Sequence, residues 1–412
     1  VTAPSRQHRD TSANDPAVTA ALLAQAEARL DGYLRDLAEL VSIDSGSYSP
    51  DGVNLVAAWT AARLEAIGFA TQRIALRPAR GDRSGDVLVA RNAGRLPQAD
   101  GGRRILLAAH MDTVFEDGTA AARPFRIAGS LAHGPGVSDD KGGLLAGLTA
   151  LEILHAAGLD DYAEVVFLAT PDEEIGSPAS RPVTERTAHG MDYALALECA
   201  RENGDLVVAR KGVADCLLRV TGRAAHAGIE PERGANAALA AAHLVLALEG
   251  LNDDGGDVTV NVGVVRAGSR ANIVCPEAEL RVEVRSPTAA GLDRARAAIE
   301  AAAARPTVPG TTVQVQELEV CPPMPDTPAS RRIFAHALRA GQQLGLPMGA
   351  AATGGVGDAN LIAGCGVPVL DGLGPVGGAD HSPEEWLDVT SVPARIALLA
   401  SLIARLGDAR TG

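Results

Sequence analysis

At 412 residues the chain is too long for one ordinary hydrophobic core, so two domains are expected. Apolar residues make up 46% and charged residues 21%, a globular balance, while aromatics at 3% leave the core to Ala, Leu and Val. A net charge of −14 with no basic run argues against a nucleic-acid partner, whose phosphates would be repelled, and no apolar stretch reaches transmembrane length.

Residues 1–16 are polar, lack a charged-then-apolar signal pattern and read as a disordered tail. Over 18–41 and 54–67 apolar residues recur at helical spacing. Short continuous apolar runs follow at 87–90, 105–109, 165–169 and 194–197, as expected of strands buried on both faces. A helical pattern over 143–157 separates two of them, a β-α-β rhythm. After Lys211-Gly212 the character changes. Strands at 216–221, 258–265, 280–286 and 312–318 show alternation, the mark of a sheet with one covered face, and helices at 235–248 and 289–304 lie between them. The pattern then returns to a helix over 330–344, a strand near 367–370 and a last helix over 393–406, with Pro393 in its first turn. The expected fold is therefore α/β: a helix-covered mixed-sheet catalytic domain from 17–212 and 321–412, carrying an inserted α+β dimerisation or lid domain at 213–320.

Five cysteines, odd in number and without paired spacing, predict neither a disulfide framework nor a thiolate metal site. The chain reads as cytoplasmic.

Seven acidic or imidazole side chains carry the chemistry. His110 and Asp112 stand in AAHMDTV, Asp139 in GPGVSDDKGG, Glu173 and Glu174 in TPDEEIGS, Glu198 in YALALECA and His381 in GGADHSPEE. Any one of them is ordinary: a lone histidine is more often a core or surface residue, and an acidic pair is usually solvated. Together they are less ordinary, because His110, Asp139, Glu174 and Glu198 each follow or lie close to the end of an apolar run, where open α/β sheets collect ligands. Their oxygens and imidazole nitrogens form a mixture that zinc accepts, with carboxyl groups to spare for catalysis.

These motifs, together with GRAAHAG and the Asn-Ile-Val segment at 272–274, resemble in order and spacing the dizinc metallopeptidase family of glutamate carboxypeptidase, aminoacylase and succinyl-diaminopimelate desuccinylase. The likeness runs from about Val41 to the final helix and is nearest the glutamate carboxypeptidase branch. It implies two zinc ions per subunit bridged by Asp139, with His110 and Glu198 completing one site and Glu174 and His381 the other; cobalt or manganese would suit the same ligands. It implies that Asp112 orients His110, that Glu173 is the general base, and that the peptide after Asp139 is cis. His226 would stabilise the oxyanion in the partner subunit's site, making a homodimer necessary. Asn272 and Arg285 would hold the substrate carboxylate, and Gly354-Gly355 would line the pocket; for each a structural turn, salt bridge or loop is the plainer reading. The implied activity is hydrolysis of an amide that releases a C-terminal amino acid from an N-acyl amino acid or short peptide.

One position departs from the family. Cys321 stands where glutamate carboxypeptidase has an arginine that helps hold the acidic side chain of the released residue, and a thiol cannot pair bidentately with a carboxylate. Two rivals stay open: a dipeptidase or aminopeptidase, against which Glu198 leans because such relatives tend to carry aspartate there, and a non-catalytic metal- or ligand-binding homologue, which would have no use for Asp112 and Glu173.

Overall fold

The computed structural model describes residues 13–77, 84–253, 258–305 and 307–408. They form two compact units, one built from the chain up to Val208, Asp326–Ala352 and the part from Gly357 on, the other from Ala209–Pro325 and Thr353–Val356. The crossings lie a few residues outside the expected 213–320 insertion, and the segment 353–356 joins the inserted unit. Of the tail expected over 1–16, residues 1–12 lie outside the described residues. Its end is ordered: Pro16 opens the helix Pro16–Val41, and the Asp15 carboxylate caps it by accepting the Ala17 N–H at 2.9 Å.

The first unit is α/β around a mixed six-stranded sheet, in the order Ala70–Ile74, Val87–Ala93, Glu164–Thr170, Arg104–His110, Tyr193–Ala196 and Val369–Leu370. The two pairings made by Val87–Ala93 are antiparallel and the other three parallel. The apolar runs bury both faces, as in Ile105–Ala109 and Val165–Ala169. Helices Pro16–Val41, Lys141–Ala157 and Val392–Gly407 pack on one another, and the last two touch the central strand Arg104–His110. Val392–Gly407 is buried almost all round, including Arg395 and Arg405. Each fully buried leucine here contributes about 1.5–3 kcal/mol by leaving water.

Several elements escape the apolar pattern. Ala70–Ile74 has no buried residue and is mostly polar; it holds its place by pairing with Val87–Ala93, by contact with the helix Pro50–Ala66 and by the Arg73–Asp86 ion pair at 2.7 Å. A small sheet joins Gly377–Gly378, Trp386–Asp388, Leu131–His133 and Arg126–Ala128, each too short to show a period.

The second unit is a four-stranded antiparallel sheet, ordered Thr259–Ala267, Glu277–Ser286, Gly212–Thr221 and Thr312–Cys321. One face is covered by helices Ala237–Glu249 and Ala289–Ala303, started by Asn236 and Thr288 caps. Leu218, Val220, Leu280, Val282 and Val284 meet Leu244, Leu248, Leu292 and Ile299 in its core.

Candidate metal centre

The strand Arg104–His110 runs parallel beside Glu164–Thr170 with His110 level with Thr170, and Met111 N–H extends the pairing to the Thr170 carbonyl at 2.8 Å. The chain segments carrying Asp112 and Glu173-Glu174 therefore leave the sheet side by side. Leu197 N–H donates to the Ala108 carbonyl at 2.8 Å and sets down Glu198 next to them. Asp139 arrives from the turn before the helix Lys141–Ala157, and the Asp139-Asp140 peptide is cis. That helix closes on the sheet only because position 143 is glycine: a Cβ there would lie 1.9 Å from the Leu197 carbonyl oxygen and 2.1 Å from Asp140 Oδ1. His381 stands in a loop whose backbone is left-handed at Ala379 (φ 55°) and again at His381 (φ 61°), a conformation non-glycine residues rarely adopt.

These placements bring all five expected ligands to one spot. His110 Nε2 lies 2.9 Å from Asp139 Oδ1 and 3.8 Å from Glu198 Oε1. His381 Nε2 lies 3.2 Å from Asp139 Oδ2 and 2.9 Å from Glu174 Oε2. His110, Asp139 and Glu174 each offer an atom within 4.8 Å of the others, one candidate metal-binding cluster.

Asp112 is fully buried behind them. Its Oδ1 accepts the Glu173 N–H at 3.1 Å, and its Oδ2 accepts the Glu174 N–H at 3.2 Å and the Ser47 hydroxyl at 2.7 Å. The His110 ring nitrogen Nδ1 is 3.0 Å from the Asp112 backbone carbonyl and 3.4 Å from its carboxylate, so the main chain is the nearer partner of the imidazole. Asp358 accepts hydroxyls from Thr170 at 2.5 Å and Ser177 at 2.6 Å, under the same turn. Gly357 lets Glu173 in: a Cβ there would stand 2.8 Å from Glu173 Oε1 and 3.8 Å from Glu198 Oε1. Glu385 accepts backbone N–H groups from Gly136, Ser138 and Asp139 at 2.8–3.0 Å.

The electrostatics are those of a site built for a cation. Burial opposes protonation of His110, yet Asp112 and Asp139 overcome it and raise its pKa well above the usual value. Burial would raise Asp139, but His110 and His381 hold it well below the carboxylate range. Hydrogen bonds to Asp139 and Glu174 push His381 up to about 11. Burial, reinforced by Glu198 and resisted by His110, lifts Glu173 well above its ordinary value. Burial lifts Glu385 to about 7 against the pull of its three N–H donors. The field that draws protons onto the histidines draws a divalent ion to the same atoms. Two imidazoles with half-buried carboxylates fit such an ion chemically.

In the second unit, His226 is exposed and its Nδ1 accepts the Gly228 N–H at 3.2 Å, leaving Nε2 to carry the proton. Ala227 N–H donates to the Asn272 carbonyl at 3.0 Å and His226 pairs with Ile273 in an isolated antiparallel β-bridge, which sets His226 and Asn272 side by side. Arg285 grips Glu283 through two hydrogen bonds, 2.7 and 3.0 Å, and donates to the Gly354 carbonyl at 2.5 Å. Arg210 donates to the Gly355 carbonyl at 3.3 Å. Cys321 is buried at the end of its strand.

A sequence profile of peptidase family M20/M25/M40 matches residues 106–405, most of the chain and all seven of the acidic and imidazole residues above. The chain belongs to peptidase family M20/M25/M40. Carboxypeptidase G2 of Pseudomonas sp. (strain RS-16) is 32% identical over 377 residues, covering 91% of this chain and 89% of that protein. Among solved structures, aminopeptidase PepT from Bacillus cereus superposes with a TM-score of 0.74 at 23% identity, covering 91% of this chain and 98% of that one. The M20 family metallo-carboxypeptidase Sso-CP2 from Sulfolobus solfataricus does so at 0.66 and 15%, covering 90% and 98%. This M20 chain is thus a metal-dependent hydrolase of amide bonds. Among its described residues no helix is long and apolar enough to cross a membrane.

Three contributors to the site were missed in the sequence. Glu385 lies inside the GGADHSPEE motif and Gly357 inside ATGGVGDAN, yet nothing periodic marks either. Ser47 sits in an unremarkable loop.

Proposed function

We propose that this M20 protein is a dizinc hydrolase that releases a C-terminal amino acid from an N-acyl amino acid or a short peptide. The observation that carries it is the doubled donor set on Asp139: one carboxylate oxygen faces His110, near Glu198, and the other faces His381, beside Glu174. That arrangement suits two ions sharing one carboxylate, and it leaves Glu173 outside the set. When bound, zinc would polarise the scissile carbonyl and acidify a water. Glu173, set on the same turn as Glu174 and pressed against Gly357, takes the proton from the attacking water and delivers it to the leaving nitrogen. Asp112 keeps that turn in place through the Glu173 and Glu174 amides. Asn272 and Arg285 hold the free carboxylate of the substrate, with Gly354-Gly355 beside them, and His226 donates from Nε2 to the oxyanion in the site of a partner chain.

The extended likeness to carboxypeptidase G2 supports C-terminal release, whereas the likeness to aminopeptidase PepT supports the fold alone. Release of amine from a panel of N-acyl amino acids and free dipeptides by zinc-reconstituted protein tests the reading. Turnover of N-acyl substrates is expected. Turnover confined to dipeptides with a free amino group would replace it with a dipeptidase, and no turnover at all with a binding protein.

A further inference from the structure

Asp139 lies in a turn that belongs to neither a strand nor a helix, so no ladder of main-chain bonds fixes it. One main-chain bond closes the turn, from the Lys141 N–H to the Gly136 carbonyl at 3.1 Å, and the further hold on it comes from Glu385, which is 1% exposed. Glu385 Oε2 accepts the Gly136 N–H at 2.9 Å, while Oε1 accepts the Ser138 N–H at 2.8 Å and the Asp139 N–H at 3.0 Å. Bonds to a carboxylate are the stronger kind, and three of them on one turn leave it little freedom. The backbone of Glu385 is itself anchored: its carbonyl is 3.0 Å from His133 Nδ1, and the next residue opens the strand Trp386–Asp388, paired to Leu131–His133. The segment that carries this carboxylate also carries His381, four residues earlier. The turn holding Asp139 and the loop holding His381 are therefore tied together through one side chain.

We propose that Glu385 is a positioning residue of the metal centre: by holding the amides of Gly136, Ser138 and Asp139 it sets the reach of Asp139 toward His110 and His381, and so the affinity for a divalent cation. This rests on the ligand role proposed for Asp139. Removing partners one step behind a metal ligand typically weakens metal binding by about 10–100-fold. Glu385→Gln keeps the shape but presents an NH₂ where an amide needs an acceptor. Glu385→Asp keeps the charge but loses one methylene of reach.

The experiment is zinc binding by chelator competition on the full chain, with far-UV circular dichroism to confirm folding and with the zinc concentration for half-maximal activity as a second readout. Both Glu385 variants are expected to lose about 10–100-fold in zinc affinity, with the half-maximal zinc concentration moving in step. Leu22→Ala, a core truncation in the helix Pro16–Val41, controls for general loosening and is expected to bind zinc as the unmodified protein does. Zinc affinity within threefold of the unmodified protein in either folded Glu385 variant would overturn the proposal. So would an equal loss in Leu22→Ala, and so would failure of both Glu385 variants to fold, which would assign Glu385 to folding. Asp139→Asn separates the two levels: if it binds zinc normally, the ligand reading of Asp139 is what fails.

Discussion

Glu173 and Glu174 are adjacent in sequence and share one turn, yet their surroundings differ. Glu174 Oε2 is 2.9 Å from His381 Nε2, whereas Glu173 Oε1 lies in the space Gly357 leaves open. That difference supports the roles proposed for them, metal binding for Glu174 and proton transfer for Glu173. Glu173→Gln is expected to lower kcat by about 10²-fold or more while metal analysis still finds two zinc ions; a missing ion would show that Glu173 is a ligand. Selectivity also turns on single side chains. Cys321 supplies no charge, and in the proposed function Arg285 is taken up by the free carboxylate of the substrate, so a glutamate side chain in the released residue lacks the expected arginine. A lost charge-assisted bond forfeits roughly 1.5–3 kcal/mol. N-acyl-leucine or N-acyl-alanine should therefore be cleaved at least as well as N-acyl-glutamate. A glutamate preference above about tenfold in kcat/KM, some 1.4 kcal/mol, would point to another cation, Arg210, which donates to the Gly355 carbonyl, being the first to test. Because Cys321 is buried, substrate series are a cleaner probe than an arginine put in its place, which would strain the packing.

At the scale of elements, what was legible in the sequence followed burial. Runs such as 105–109 and 165–169 are apolar because both faces of those strands are covered, and they were readable for that reason. The strand Ala70–Ile74 carries no such signal because none of its residues is buried, and the four short strands of the small sheet are too short to show a period although Ala132 and Leu387 reach the core. The site divides the same way. Candidate ligands that end apolar strands could be read in the sequence, but Glu385 and Gly357 meet the site through backbone amides and empty space, which no residue pattern encodes. Gly357 begins the helix Asp358–Gly364 in an extended conformation open to any residue, so its glycine is needed only for room. Gly357→Ala should then fold normally, because the atom a Cβ would meet is the tip of a flexible side chain. Displacing that tip by an ångström or so should cost about 10²-fold in kcat, with the unfolding temperature unchanged. An unaltered kcat would mean Glu173 works from another rotamer.

The whole molecule raises the question of how many chains make one active site. His226 is exposed, and its ring is oriented by the Gly228 amide so that Nε2–H is the free donor. A histidine held only by a local turn is common, and on the surface it would do nothing. One turned outward with a fixed tautomer, next to Asn272 on the same unit, is also what a donor to an oxyanion requires. The donor is useful only against a substrate, and the proposed function gives it one in a partner chain. If so, activity belongs to the pair of chains. His226→Ala and Glu173→Gln should each be nearly inactive as pure proteins, the first for want of the donor and the second for want of the base. In a mixed dimer one site combines the intact Glu173 of one chain with the intact His226 of the other. Equal mixtures allowed to exchange chains form about half of their dimers as heterodimers, each with one fully equipped site, so activity should recover to roughly a quarter of the unmodified level, by the symmetry of a two-fold pair. Exchange confirmed by differently tagged chains without any recovery would confine each site to its own chain and leave His226 as a turn residue.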